Sequence, residues 1–269
     1  MIDDKQMLEL FARFQSVRRE TAEQLSKTRI LRPDNYELPS RVRSFATLIF
    51  FQMATDFTPN LLGGVNRFFI GIHHAESWFK VAQSLEEDDR ASLLWEFADP
   101  HFELAVGCPY SLRNQFVFAA VHLLHQSNKL RMKDWKDNLP PDEDINYKHL
   151  EKLGTGWPAF PQFMERIECL NEDAFKKATG NFRHKGQHRY KLRFDRGLTP
   201  VFERIKTENG ITYSYGCFRP LDIEQLIPQL YTQHQQAMDT FLAYWQLVNE
   251  LCAEWDKQVV PTEGIRFSL

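Results

Sequence analysis

Apolar residues recur at helical spacing along most of this chain. From 4 to 27, Met7, Leu8, Phe11, Phe14, Val17 and Leu25 mostly follow one stripe with charges between them, which predicts an amphipathic helix. Pro33 and Pro39 bound a connection containing Tyr36. Residues 40–57, with Ser40 as a candidate cap, are apolar nearly all round through Phe45, Leu48, Ile49, Phe51 and Met53, and are read as a buried helix. Thr58-Pro59-Asn60 and Gly63-Gly64 then predict a loop. Residues 65–85 carry a stripe of Phe68, Ile72, Ala75, Phe79 and Ala82, and predict a second helix. A charged turn at 86–90 leads to a helical segment over 90–106 that Pro100 is expected to end or kink. Cys108-Pro109-Tyr110-Ser111 is read as a connection into a mostly buried helix over 111–131.

Residues 133–161 hold Pro140, Pro141, Gly154, Gly156, Pro158 and Pro161, and predict a long surface connection with a short helix near 146–152. Helices are expected over 160–170 and 172–190, the latter broken near Gly180 or Gly186. The period then changes. VFERIK (201–206) and ITYSYG (211–216) alternate in polarity around Thr207-Glu208-Asn209-Gly210, predicting a two-stranded ribbon over 201–216 with Asn209-Gly210 as its turn. The last long helix is expected over 222–256. Asp222 and Gln225 fit a capping box, Pro228 kinks or restarts its first turns, and Leu226, Leu230, His234, Met238, Phe241, Trp245, Val248, Cys252 and Trp255 share a face. The fold class is mostly α: a helical bundle with one small β-hairpin insertion.

Composition changes this picture little. At 269 residues, 43% hydrophobic and 26% charged, with Phe 22 and Trp 6, the chain suits a helical core of large side chains. The net charge of −3 excludes polyanion binding by bulk charge, so any nucleic-acid contact must be local. Cys108, Cys169, Cys217 and Cys252 lie far apart without zinc-ligand spacing and read as reduced thiols of a cytoplasmic protein. The longest uncharged stretch, 44–55, falls short of the about 20 apolar residues a membrane span needs, so no membrane partner is expected.

Most catalytic signatures are missing. No histidine follows a glutamate by three residues, HExxH is absent, and His122 and His125 read as core hydrogen-bonding groups, so neither metal nor cofactor is expected. His234, on the apolar face of the last helix, reads as a satisfied core histidine. No phosphate-binding loop or nucleophile elbow occurs.

One segment stands apart. Arg183, Lys185, Arg189, Lys191, Arg193 and Arg196 crowd into 183–196 against a single acid, Asp195, with His184 and His188 in the same run. Arginine holds phosphate by two parallel hydrogen bonds, and histidine exchanges protons near neutral pH. Cleavage of RNA by its own 2′-hydroxyl needs those two services and no metal. Arg67 stands at comparable spacing from His73 and His74, but apolar Phe68 follows it, whereas polar His184 follows Arg183.

The pattern of arginine, polar residue and then histidine, late in an all-α chain, resembles the HEPN superfamily. The resemblance spans residues 107–256 at most and matches at Arg183, His184 and His188. It implies a HEPN-like helical domain over 107–258 with the hairpin as an insertion; the N-terminal third, which it does not explain, is read as a helical layer over 1–106 packing on the rest, and 259–269 as a tail. It further implies RNA as partner, a homodimer with two motifs facing one cleft, and metal-independent endoribonuclease activity. In that reading Arg183, His184 and His188 are catalytic, and Lys185, Arg189, Lys191, Arg193 and Arg196 bind nucleic acid. The alternative is a non-catalytic helical interaction protein whose basic segment is a solvated or partner-binding face.

Overall fold

The computed structural model describes residues 4–38, 45–181, 193–195, 199–207 and 210–257. Its elements in order are α1 (Asp4–Arg29), α2 (Phe45–Ala82), α3 (Glu87–Leu93), a π-helical stretch (Leu94–Ala98), α4 (Asp99–Asn128), α5 (Tyr147–Gly154), α6 (Phe160–Cys169), α7 (Asp173–Ala178), strands β1 (Thr199–Thr207) and β2 (Gly210–Phe218), and α8 (Ile223–Lys257). The fold is mostly α with one small antiparallel hairpin. Among the described residues no helix is long and apolar enough to cross a membrane.

The predicted breaks in the N-terminal half do not occur. Thr58-Pro59-Asn60 and Gly63-Gly64 lie inside α2, and Cys108-Pro109 lies inside α4. An interior proline costs a helix about 3 kcal/mol. Burying one large apolar side chain returns about 1.5–3 kcal/mol. Around Pro59, Phe50, Phe51, Leu61 and Leu62 are all buried, and around Pro109, Phe102, Leu112 and Phe116 are. Packing therefore outweighs the local penalty. Gly64 answers to packing as well: a Cβ there would lie 2.9 Å from Leu112 Cδ2, so the glycine permits close approach rather than a turn. Pro100 does not end the helix either: it directly follows the π-helical stretch within a run that stays helical from Glu87 to Asn128. Pro228 likewise falls within α8, which does not restart there.

The ribbon forms with Thr207 paired to Gly210, so residues 208 and 209 lie between the strands. Gly210, with φ +125°, is thus the first residue of β2 rather than part of the turn, which lies one residue earlier than predicted. Asn209 is outside the described residues.

The chain divides into two compact units. The first comprises 1–30, 65–111 and 169–237. Its core includes Phe14 of α1 stacked on Trp78 of α2 at 4.2 Å, with Phe97 stacked on the same indole at 4.8 Å. The predicted α2 stripe, Phe68, Ile72, Ala75, Phe79 and Ala82, is buried, whereas Leu8 of the α1 stripe is exposed.

The second unit comprises 31–64, 112–168 and 238–269. There Tyr36 meets Phe241 and Trp245 edge-on, and Trp255 stacks on Phe50. Asn128, at the end of α4, accepts from the buried Trp157 indole N–H at 2.9 Å and donates to Leu153 O at 2.9 Å. Arg131 lies 3.4 Å above the Trp157 ring. α5 starts at Asn146, whose side chain accepts from Lys148 N while its own N–H donates to His149 Nδ1.

Candidate nucleic-acid interface

The described chain stops after α7 at Asn181 and resumes at Arg193, both within the first unit. α7 ends in a Schellman arrangement: Gly180 and Asn181 have φ +60° and +57°, Gly180 N–H donates to Lys177 O, and Asn181 N–H donates to Lys176 O. The helix predicted over 172–190 thus stops at Ala178, at the first of its two expected breaks. Glycine adopts φ > 0 without strain, and asparagine tolerates it.

The return is pinned at three places. Phe194 is buried and stacks on Phe102 of α4 at 5.5 Å. Residues 194 and 221 form a parallel bridge, with Asp195 N–H donating to Leu221 O and Leu221 N–H donating to Arg193 O, both at 2.9 Å. Asp195, at φ +58°, forms an ion pair with Arg90 at 3.0 Å. Arg193 lies 5.9 Å from the ring centroid of Trp95, a largely exposed residue of the π-helical stretch. A pocket of about 120 Å³ beside both ends is lined by Ala178, Leu221, Asp222, Gln225, Leu226 and Gln229.

Of the residues singled out from sequence, Arg193 is therefore placed. Arg183, His184, Lys185, His188, Arg189, Lys191 and Arg196 lie outside the described residues. Trp95 and Arg90 escaped the sequence reading. Each is about a hundred positions from its partner, and no local periodicity links them.

The remaining histidines are set up differently. His74 receives an Arg18 Nη1 contact at 3.4 Å, with His101 5.3 Å away ring to ring. Burial first, then His101 and Arg18, push His74 down to about 4. Burial also lowers His73 and His101. Such imidazoles are neutral at pH 7 and do not hold phosphate as cations. His125 is buried in the second unit with Nε2 3.0 Å from Asp137, as expected of a core hydrogen-bonding group, whereas His122 Nε2 lies 3.4 Å from Asp142 without a well-formed hydrogen bond and departs from that expectation. His234 departs from its expected satisfied state. It is buried against Phe68 and Phe69 in the first unit, and neither ring nitrogen has a well-formed hydrogen bond.

Burial pushes the Cys108 thiol up to about 11 and the Cys252 thiol up to about 12, far from the reactive thiolate range. Among the described residues no group of three or more histidines, cysteines and acids is placed to hold a metal.

The chain matches no family model, no curated protein and no solved structure.

Proposed function

We propose that this chain binds RNA through residues 183–196 and cuts it without a metal, in the manner of the HEPN ribonucleases it resembles. The observation that carries the proposal is the charge of that run: six cations against one acid in a chain of net charge −3. The one acid, Asp195, is engaged by Arg90 of α3 and so does little to neutralise its neighbours. Residues 178–181, just before the run, and 193–195, near its end, are held by backbone hydrogen bonds.

In this reading Arg183 orients the scissile phosphate with its bidentate fork and stabilises charge as it develops. His188 takes the proton of the 2′-hydroxyl, whose oxygen attacks the adjacent phosphorus while the 5′-oxygen leaves and is reprotonated. The products carry a 2′,3′-cyclic phosphate and a 5′-hydroxyl. His184 keeps the cleft polar. Lys185, Arg189, Lys191, Arg193 and Arg196 hold the backbone electrostatically. The reading includes a homodimer, in which two such segments share a cleft.

The test is a mixed-sequence RNA incubated with EDTA and either wild type or His188→Ala. Wild type is expected to cleave, and His188→Ala to be slower by about 10²–10⁴-fold. Arg183→Lys, which keeps the charge and loses the fork, is expected to lower turnover far more than a surface exchange does. Equal activity of wild type and His188→Ala identifies a contaminating nuclease and removes the catalytic assignment. Binding without cleavage by wild type reduces the function to RNA binding.

A further inference from the structure

The hairpin, which begins three residues after the run of cations, has a second surface suited to RNA. Its register pairs Phe202 with Tyr215, Arg204 with Tyr213 and Lys206 with Ile211. Side chains alternate between the faces of a strand, so these six residues share one face. All six are exposed. Phe202 is 65% exposed, Tyr213 69% and Tyr215 66%, so the three rings are grouped on one exposed face rather than scattered singly. Phe202 and Tyr215 lie 4.8 Å apart, ring to ring, so part of the surface is already an aromatic cluster.

We propose that this face is a stacking platform for single-stranded RNA. The choice of RNA rests on the reading given above. The face itself is argued from three features. First, rings and cations occur together. Arg204 stands opposite Tyr213 and Lys206 opposite Ile211, and none of the six residues is acidic. An aliphatic patch would suit a protein partner, whereas rings interleaved with cations complement bases joined by phosphates. Second, the spacing suits the ligand. Alternate residues of a strand are about 6.8 Å apart. That is about twice the 3.4 Å rise of stacked bases, leaving room for one base between the Tyr213 and Tyr215 rings. Third, the opposite face lacks this combination between Phe202 and Tyr215: its described members there are Ile205, Thr207, Gly210, Thr212 and Ser214. Between Phe202 and Tyr215, rings and cations are sorted to one side of the ribbon. Every base has a π-face, so the platform tolerates any sequence, and its contribution to affinity is spread over individual rings.

The experiment measures binding of the full-length protein to a fluorescein-labelled 2′-O-methyl U12 strand by anisotropy, in EDTA. This probe has no free 2′-hydroxyl, so it survives the cleavage proposed above. Tyr213→Leu and Tyr215→Leu keep apolar bulk and remove the ring, and each is expected to weaken binding by about 5- to 150-fold. Tyr213→Trp keeps a stacking surface and is expected to retain wild-type affinity. Arg204→Ala is expected to lower the salt slope by about one. Circular dichroism on each variant verifies that the helical core is intact.

Equal binding by wild type and both leucine variants overturns the platform. If Lys191→Ala weakens binding in that case, the RNA reading of the basic segment stands without the ribbon. If the leucine variants bind normally but sediment differently from wild type, the face joins copies of the chain and the platform is likewise overturned. If wild type has no affinity for the strand, both proposals fall together.

Discussion

His234→Leu tests how the first unit holds a polar ring in its core. The imidazole is fully buried, packed against Phe68 and Phe69, without a well-formed hydrogen bond at either nitrogen. Burial, reinforced by the Arg29 charge and opposed by the Val65 backbone, lowers its pKa from 6.5 to about 4. The folded-state value lies below the unfolded one, so the unfolded chain binds the proton first as pH falls. Stability tied to this group is intact above about pH 6.5 and is lost on descending towards pH 4. Between pH 7 and pH 5 the loss is about 2 kcal/mol. Leucine does not titrate and leaves no polar atom unpaired; a buried polar group without a partner costs about 1–3 kcal/mol. His234→Leu is therefore expected to be at least as stable as wild type at pH 7, and its advantage to widen by about 2 kcal/mol at pH 5. Urea unfolding followed by circular dichroism at both pH values measures the gap. A gap that stays constant between pH 7 and pH 5 would refute the reasoning, because the ring would then have to protonate equally well folded and unfolded.

Two further substitutions test the second unit. Gly154→Ala places a Cβ 2.1–2.2 Å from the Phe160 ring, a distance no packing tolerates, so the ring must move. An overpacking loss of about 1–3 kcal/mol is expected in thermal or urea unfolding, and an unchanged midpoint would contradict it. Asn128→Ala leaves the buried Trp157 indole N–H without its acceptor, and a similar loss of about 1–3 kcal/mol is expected in urea unfolding. Asn128→Asp keeps an acceptor for that N–H, and is expected to recover part of the loss.

Elements set by local chemistry were legible in the sequence. The ribbon followed from alternation on both sides of a glycine, and α8 followed from a capping box and an apolar stripe. The errors lay where tertiary packing overrode punctuation. Pro59, Gly63-Gly64 and Pro109 read as breaks because only the residues in three dimensions, such as Leu112 against Gly64, reveal what a glycine or proline makes room for. The one-residue displacement of the turn shows the same limit at small scale, since pairing Thr207 with Gly210 depends on the register of the whole ribbon. For the candidate interface, the run of cations was visible as a run. The anchors at its return, Phe194 on Phe102 and Asp195 with Arg90, join residues about a hundred positions apart and leave no trace in either neighbourhood. The ring-and-cation face of the ribbon was present in the alternation FxRxK and IxYxY, but only pairing the two strands brings those positions onto one surface.

The π-helical stretch Leu94–Ala98 has a consequence for descent. A wide turn is what remains when one residue is added to an α-helix and the flanking turns keep their facing. An α-helix advances about 100° per residue, so an insertion elsewhere in α3 or α4 would swing buried Leu93 or Phe102 out of register with the rest of the core. Within 94–98 the extra residue is absorbed. Relatives with an uninterrupted helix here should thus align with this chain through a single one-residue gap inside that window. Trp95, exposed and reaching towards Arg193, is the residue such a gap would remove at least cost to the core, and with it the aromatic neighbour of that arginine.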